Sequence, residues 1–573
     1  MPDIYDKIME LAKRRGFVWP TSECYGSVAG FIDYGPLGAM MKRKVENVWR
    51  DFYVIREGYF EIECPTIGEE SIYLASGHVK GFADKMIQCP SCSEFHRADH
   101  VAEANGVSNA ETKPIEELTE ILRDLPCPAC GEKFAGSEVY HFNLMFQTNI
   151  GPGSQRKGYM RPETAQGIFT DFNRLLRFYR DKLPFGAVQI GKSYRNEISP
   201  RQGMIRLREF TQAEAEIFIH PEKKDHPQFS KYAATLVPLR GIEEQENDKE
   251  AVIRGMADAV KDGIVANEYV AYYIALTYDF LVSCGANPDK VRFRQHLPDE
   301  RAHYATDCWD AEIYSGRFGW VEAVGIADRT DYDLRAHASQ SNETFTVFIP
   351  YETPKKVMQK RVKADMGKLG PLFRGKAKAV SEALADAVPD ENGSTVVIDG
   401  EEHFVPKDMY ELVEEEVEIR GEYVMPHVIE PSYGIDRIIY SVLEHSYEEE
   451  DVDGEIRRVL HFPPKVAPVQ VAVLPLMTRD GLEEISRDIE KELLDEGILA
   501  QYDDNGAIGR RYRRQDEVGT PFAVTVDYDT KEDGTVTLRD RDTMKQVRVA
   551  SKEIPAILHS LITGRIKFES LCE

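Results

Sequence analysis

No stretch of this 573-residue chain stays apolar for the 18 or so residues that a membrane-spanning helix needs. Basic charge is also scarce: 71 Lys and Arg stand against 98 Asp and Glu, a formal net charge of −27. That balance excludes a generic nucleic-acid coat, whose footprint is basic, so contact with a polyanion has to come from local positive patches. The plain account of the acidity is a well-solvated surface. No repeat of fixed period recurs, which sets aside solenoids and propellers. The opening "MPDIYDKIMELAKRRGF" lacks the continuous apolar core of a secretory signal and reads as a short amphipathic helix. Nine cysteines make an odd number, and four of them fall into two C-x-x-C pairs. That usage argues against a disulfide framework and for a reducing compartment with one metal site. A cytoplasmic protein is therefore expected.

What is present is a long, core-competent chain. With 42% hydrophobic residues, two to four domains are expected at roughly 100–200 residues each. Residues 1–86 mix helix and strand, and "LGAMMKRKVENVWRDFYV" carries apolar residues at helical spacing. Residues 87–140 hold the cysteine pairs around a charged helical stretch and read as an insertion. Within 141–352, residues 141–220 are strand-rich with a helix near 164–180, a helical segment follows at about 221–285, and the strands "VRFRQHL", "WDAEIY" and "WVEAVGIADR" come next. Residues 353–425, with the basic run "KKVMQKRVKADMGKLGPLFRGKAK", read as a second insertion, and 426–465 return from strand to helix. After the linker "HFPPKVAPVQ", strand and helix alternate over 466–573, the pattern of a separate small α/β domain.

The cysteine pairs are "CPSC" (Cys89, Cys92) and "CPAC" (Cys127, Cys130). Four thiolates at such spacings suit tetrahedral Zn²⁺, and with no open position the role is structural. A redox dithiol is the alternative. Cys24, Cys64, Cys284, Cys308 and Cys572 read as packing residues.

Residues 191–216, "GKSYRNEISPRQGMIRLREFTQAEAE", crowd arginines and glutamates into two strands and a turn. On strands, side-chain alternation places Arg195 with Glu197, and Arg206 and Arg208 with Phe210. Guanidinium forks suit phosphate and an aromatic ring suits a base, so the hairpin reads as a nucleotide platform. The competing reading is a solvated hairpin with cross-strand ion pairs.

"SYRNE…RLREF" closely resembles motif 2 of class II aminoacyl-tRNA synthetases. "EPSYGIDRIIY" resembles motif 3, and "LGAMMKRKVENVWRDFYVIREGYFEIECPTI", ending near Pro65, resembles motif 1. "RPETAQGIF", "FRQHLPDERAHYATDCWD", "GIADRTDYDL" and "VIEPSYG" look like the homodimeric glycyl-tRNA synthetase family. The resemblance implies an α+β fold: an antiparallel sheet flanked by helices, a zinc-knuckle insertion, and a C-terminal α/β anticodon-binding domain. It implies activation of glycine by ATP with Mg²⁺, then transfer to tRNA(Gly). The implied ATP site takes in Arg195, Asn196, Glu197, Ile205, Arg206, Leu207, Arg208, Glu209 and Phe210, then Glu322, Ala323, Gly434, Ile435, Asp436 and Arg437. Arg195 and Arg437 are the catalytic pair; Glu322 is the candidate for the metal side and Glu418 a weaker one. The implied glycine site takes in Arg97, Glu163, Phe210, Thr211, Gln212, Ala213, Glu214, Arg329, Glu430, Ser432 and Gly434.

His296, His303 and Asp307 read as a structural network beside that pocket, with a metal site or general base as the alternative. In "GRRYRR", Arg510, Arg511, Arg513 and Arg514 surround Tyr512, a composition suited to a single-stranded anticodon loop or, alternatively, to a solvated charge run. The basic run at 355–377 could meet the acceptor stem. Motif 1 implies a two-fold dimer. Rival readings are a paralogue without tRNA charging, a non-catalytic tRNA-binding protein on the same fold, and a different amino-acid specificity such as serine.

Overall fold

A computed structural model of the chain describes residues 3–153, 156–198, 200, 202–300, 305–385, 387, 393–398, 400–452 and 454–572. It divides into two compact units, Met1–Phe345 with Met425–Glu573, and Thr346–Val424.

The larger unit is organised by a nine-stranded sheet. Its strands are β1 (Phe60–Glu61), β2 (Phe185–Tyr194), β3 (Glu209–Ile219), β4 (Leu236–Arg240), β5 (Val252–Gly255), β6 (Val291–Gln295), β7 (Asp307–Ser315), β8 (Gly319–Thr330) and β9 (His427–Gly434). They lie in the order β5-β4-β6-β7-β8-β9-β3-β2-β1, antiparallel except at β1–β2 and β4–β6. β4 and β5 fall inside 221–285, which the sequence suggested was helical. They are short, β5 lies at the sheet edge, and Pro238 interrupts one of them, so no strand periodicity builds up.

Side-chain alternation gives β3 two roles. Ala213, Ala215, Ile217 and Ile219 enter the main core, while Phe210, Gln212, Glu214, Glu216 and Phe218 face the other way. The core face is covered by α2 (Pro36–Arg50), α3 (Glu268–Cys284) and α5 (Ile435–Ser446). α3 is buried along most of its length, so its apolar residues run round the helix instead of forming a stripe. The Asn267 side chain accepts from Val270 N–H at its start, and Gly285 at φ 108° ends it. Tyr433 of β9 reaches into this layer, where its hydroxyl bonds Tyr53 (2.8 Å) and Thr277 (2.6 Å). Trp49 stacks on Tyr53 at 4.6 Å. Buried aromatics of this size stabilise by about 1.5–3 kcal/mol each.

The cysteine-bearing segment wraps a three-stranded sheet of Ala83–Gln88, Phe95–Arg97 and Tyr140–Asn143. Its own small core includes Ile87, Val101, Leu118, Leu122 and Phe134. The C-terminal domain is a five-stranded sheet of β10 (Val471–Pro475), β11 (Ala500–Tyr502), β12 (Phe522–Val526), β13 (Thr535–Asp540) and β14 (Gln546–Ala550), ordered β11-β10-β12-β13-β14. α6 (Leu482–Asp495) packs on it, and α7 (Ile508–Val518) carries "GRRYRR". α1 (Ile4–Arg15) precedes α2, and α4 (Tyr332–Ser341) follows β8.

The smaller unit is a long two-stranded ribbon, Val347–Ala364 against Tyr410–Val424, with two helices and a hairpin. The basic run suggested for the acceptor stem lies partly on this ribbon, where Lys356 stands opposite Glu418 and Lys363 opposite Glu411, and Lys356 pairs with Glu416. A matching acidic strand therefore offsets its charge. Among the described residues no helix is long and apolar enough to cross a membrane.

Candidate active site

A cavity of about 360 Å³ opens over the pocket face of β3. One end is lined by guanidiniums. Arg195 follows β2 directly, and its backbone N–H bonds Arg208 C=O (2.9 Å) to close the hairpin. Its guanidinium lies 5.3 Å from the Phe210 ring and 5.4 Å from Phe82, with Nε donating to Pro162 C=O at 3.3 Å. That arrangement holds the head group by one nitrogen and two ring faces, and Arg195 lines the cavity. Arg437, in the first turn of α5, donates to Ile205 C=O (3.0 Å) and Glu322 C=O (2.7 Å). Arg206 lies 3.7 Å from Glu197, and both line the cavity.

The other end is acidic. Glu214 Oε2 accepts from Thr164 N–H (2.7 Å) and Thr164 Oγ1 (2.5 Å), and Oε1 accepts from Ser432 Oγ (2.5 Å) and Gln212 Nε2 (3.0 Å). Glu163 accepts from Gln166 Nε2 (2.8 Å) and lies 3.6 Å from His78 Nε2. Glu430 accepts from Arg329 Nη1 (2.8 Å), and Arg329 Nε donates to Asp333 (2.9 Å). Burial and the neighbouring Glu163 push the Glu214 carboxyl up. Burial pushes Glu430 up to about 8, against Arg329 and with help from Glu214 and Glu163. For Glu163 burial acts the same way, but His78, Arg329 and Gln166 outweigh it and hold the carboxyl low. Three carboxyls with divided pKa values around one cavity, opposed by one guanidinium, form a site short of positive charge.

Two family profiles match the chain: the "tRNA synthetase class II core domain (G, H, P, S and T)" over residues 146–446 and the "Anticodon binding domain" over 470–561. Glycine–tRNA ligase of Methanothrix thermoacetophila is 53% identical over 571 residues, covering 99% of this chain and 98% of that protein. The glycine–tRNA ligases of Archaeoglobus fulgidus (52%, covering 97% and 96%) and Methanocaldococcus jannaschii (50%, covering 96% and 98%) are similar throughout as well. The chain belongs to the glycine–tRNA ligase family. It is an aminoacyl-tRNA synthetase of class II, with an α+β fold and an anticodon-binding domain.

The ligase brings most of the expected residues to one cavity: Arg195, Glu197, Ile205, Arg206, Leu207, Phe210, Thr211, Gln212, Glu214, Glu163, Glu322, Ala323, Arg329, Glu430, Ser432, Gly434, Asp436 and Arg437 all line it. Others lie elsewhere. Residues 206–208 are not strand, so the expected parity fails there. Arg208 instead clamps the loop, donating to Glu197 C=O (2.7 Å) and Ala29 C=O (2.8 Å). Glu209 pairs with Lys192 (3.2 Å), Ala213 and Ile435 enter the core, and Asn196 N–H bonds Leu144 C=O (2.8 Å). Arg97 sits between Asp84 (3.2 Å) and Asp99, outside the cavity lining. Glu418 lies on the ribbon of the smaller unit, paired with Arg420. Asp436 does not cap its helix; it accepts from Thr211 N–H (2.5 Å) and from the Tyr34 hydroxyl.

His296 bonds Asp310 (2.8 Å), not Asp307, which accepts from Ala266 N–H and the Trp309 indole; His303 lies outside the described residues. Cys24 and Cys572 are exposed and so do not pack in a core, and Cys308 lines the cavity. Sequence reasoning missed Thr164, Gln166, Asp333 and His78. Thr164 and Gln166 lie inside the quoted "RPETAQ" and Asp333 inside "RTDYD", but nothing local marks His78.

The four knuckle cysteines lie with their sulfurs within 4.8 Å of one another. Cys89–Cys130 and Cys92–Cys127 are 3.6 and 3.8 Å apart. Tetrahedral Zn²⁺ with bonds of about 2.3 Å requires sulfur separations near 3.8 Å, so the donor set fits. The two knuckles share one backbone: Cys89 N–H bonds Glu94 C=O and Cys127 N–H bonds Glu132 C=O, with Ser93 and Gly131 at positive φ. His96 Nε2 lies 3.3 Å from Cys127 Sγ, placed to support that ligand from outside.

The C-terminal arginines divide. Arg511 is buried and donates to Gly506 C=O (2.9 Å) and Pro475 C=O; Arg514 forks onto Asp503 (2.7 and 3.0 Å). Tyr512 bonds Thr525 and lies under Arg539 at 4.7 Å. These three hold the domain together. Arg510 is exposed, and Arg513 reaches Asp516 only at 3.9 Å.

Proposed function

We propose that the cavity activates glycine with ATP and that the C-terminal domain presents tRNA(Gly) for the transfer step. The observation that carries this is the segregation of charge along one strand face, with guanidiniums around Phe210 and carboxylates around Glu214. The glycine carboxylate attacks the α-phosphorus and pyrophosphate leaves. The terminal ribose hydroxyl of tRNA then attacks the adenylate carbonyl and AMP leaves. No side-chain nucleophile is needed, so the residues work by positioning two anions and stabilising charge in line.

In this reading Arg195 binds the α-phosphate and the amino-acid carboxylate, Arg437 the γ-phosphate and Arg206 the triphosphate, while Phe210 stacks beneath adenine and Glu197 accepts from its amino group. Glu163, Glu214 and Glu430, with Ser432, bind the ammonium, and Arg329 balances their charge. A methyl on the substrate would have to displace a hydrogen-bonded group, which excludes alanine more strongly than an apolar wall, worth only about 1–3 kcal/mol. Glu322, whose carboxylate lines the cavity 3.4 Å from Arg437, is the residue that would hold Mg²⁺. That ion would neutralise phosphate charge. The cysteine quartet would hold structural Zn²⁺.

Residues 1–86, 141–352 and 426–465 supply catalysis, 87–140 and 353–425 are insertions, and 466–573 binds the anticodon. Exposed Ile55 (73%), Phe60 (51%) and Phe178 (60%) near the β1 edge support a homodimer through motif 1. ATP–pyrophosphate exchange with glycine, alanine and serine, followed by charging of tRNA transcripts, tests the reading. Exchange that does not depend on glycine, or is equal with alanine, would remove it.

A further inference from the structure

Glu216 is wholly buried, and among the described residues no donor reaches either of its carboxyl oxygens. It shares the pocket face of β3 with Glu214 but lies one step deeper, outside the cavity lining. Its surroundings can be enumerated from the sheet. Across β2 stands Ala187, which offers only a methyl. Along β3 lie Phe218 on one side and Glu214 on the other, and both Glu214 oxygens are already engaged by Thr164, Ser432 and Gln212. Across β9 the register runs from Glu214↔Ser432 to Ile217↔Ile429 without a shift, so Glu216 stands opposite Glu430. Pro431 has no N–H, which loosens the ladder at this point. On the far flank of Glu430 stands Ala327, again small.

The charged groups facing Glu216 are Glu430, Glu214, Arg329 of β8 and Asp333 of α4. Arg329 donates to Glu430 and Asp333, not to Glu216. A buried carboxylate without a donor is untenable, whereas a buried carboxylic acid needs only one acceptor. Burial first, and then Glu430 and Glu214, push its titration far above the usual range, in the same sense.

We propose that Glu216 is a positioning residue that works as a neutral acid, donating its O–H to Glu430 and so keeping that carboxylate ionised and aimed into the ammonium end of the cavity. This rests on the reading of that end as the glycine site. Burial pushes Glu430 up to about 8, and the donated O–H, together with Arg329, opposes that push, so that with a cation in the cavity three of the four neighbouring glutamates act as anions and one as a hydrogen-bond donor. The distinction is chemical: glutamine reproduces a neutral acid that donates, but it cannot replace a carboxylate that binds an ammonium.

The test is a set of substitutions in the full chain, read by the KM for glycine in ATP–pyrophosphate exchange and by Tm. Glu214→Gln and Glu430→Gln raise KM for glycine by about 10- to 100-fold, the loss of one charge-assisted hydrogen bond. Glu216→Leu, which keeps the bulk but not the donor, raises it about 10-fold, and Glu216→Gln restores it. The second readout is stability against pH. A raised native pKa means that the wild type loses stability as pH climbs from the unfolded-state value near 4.3 toward the native one. The Tm of Glu216→Gln therefore exceeds that of the wild type by a margin that widens between pH 5 and pH 8. If Glu216→Gln damages KM as much as Glu430→Gln, or if the Tm margin does not change with pH, Glu216 carries charge and the proposal is wrong. If Glu214→Gln and Glu430→Gln leave KM for glycine unchanged, the glycine site itself is misplaced and both readings fall together.

Discussion

Arg195 and Arg511 each belong to an arginine-rich stretch with an aromatic partner, Phe210 in the first and Tyr512 in the second. Their environments differ completely. Arg195 is fixed by one bond from Nε and two ring faces, and it lines a cavity. Arg511 is buried against backbone carbonyls of its own domain. Composition alone gives the two stretches the same meaning, a patch for polyanions. What separates them is where unpaired carbonyls and carboxylates lie in the fold. A helix such as α7 presents arginines in several directions, and those turned inward satisfy the C-terminal end of β10 and the loop at 503–506.

The sharpest way to break this contrast is Arg195→Ala. Among the described residues the Arg195 guanidinium donates one hydrogen bond, from Nε to Pro162 C=O, so Tm should hold near the wild-type value. Adenylate formation should fall by about 3–4 kcal/mol of barrier, the scale of losing a preorganised charge-stabilising donor, or roughly 10²–10³ in rate. Single-turnover formation of glycyl-adenylate measures it. A variant with the parental rate would show that the cavity is not where the phosphates sit.

Arg511→Met is the mirror experiment. It keeps most of the side-chain length but strands the carbonyls of Gly506 and Pro475. The cost expected is about 2–3 kcal/mol of stability, read as a lower unfolding midpoint, with glycine-dependent exchange unchanged. If Arg511→Met instead leaves stability intact and weakens tRNA charging, the division drawn here between the two arginine clusters is false.

The contrast also shows how much of the molecule the sequence carried. The cysteine quartet was legible because four ligands at fixed spacing leave few chemical alternatives, and the sulfurs do converge. The hairpin was legible because β2 and β3 pair in register over ten residues, Phe185↔Phe218 to Tyr194↔Glu209. The family resemblance named Gln212 and Glu214, which share the pocket face of β3 with Phe210, and strand parity applied within the motif would have excluded Glu209 and Ala213. Parity failed at Arg208, where the chain is a turn and the period of two no longer holds. The partners of the acidic end were hidden for another reason. Thr164 meets Glu214 across 50 residues and His78 meets Glu163 across 85, contacts that no local pattern encodes. The arginines of α7 were ambiguous in principle, because the carbonyl of Pro475 that captures Arg511 is 36 residues away.

The smallest effect is expected at Arg510, the exposed arginine of α7. If it contacts tRNA, it does so through a phosphate at the surface of a strongly acidic protein, so its contribution is electrostatic and sensitive to salt. Arg510→Ala should leave Tm and glycine-dependent exchange unchanged and raise the KM for tRNA modestly. The informative quantity is the slope of log affinity against log salt, which should become shallower by about 1 for the loss of one phosphate contact. Arg514→Ala, whose fork is already held by Asp503, should not change that slope but should lower Tm. Equal slopes for the wild type and Arg510→Ala would show that Arg510 makes no phosphate contact, leaving Arg513, which reaches Asp516 only at 3.9 Å, as the remaining cation of α7 that could face tRNA.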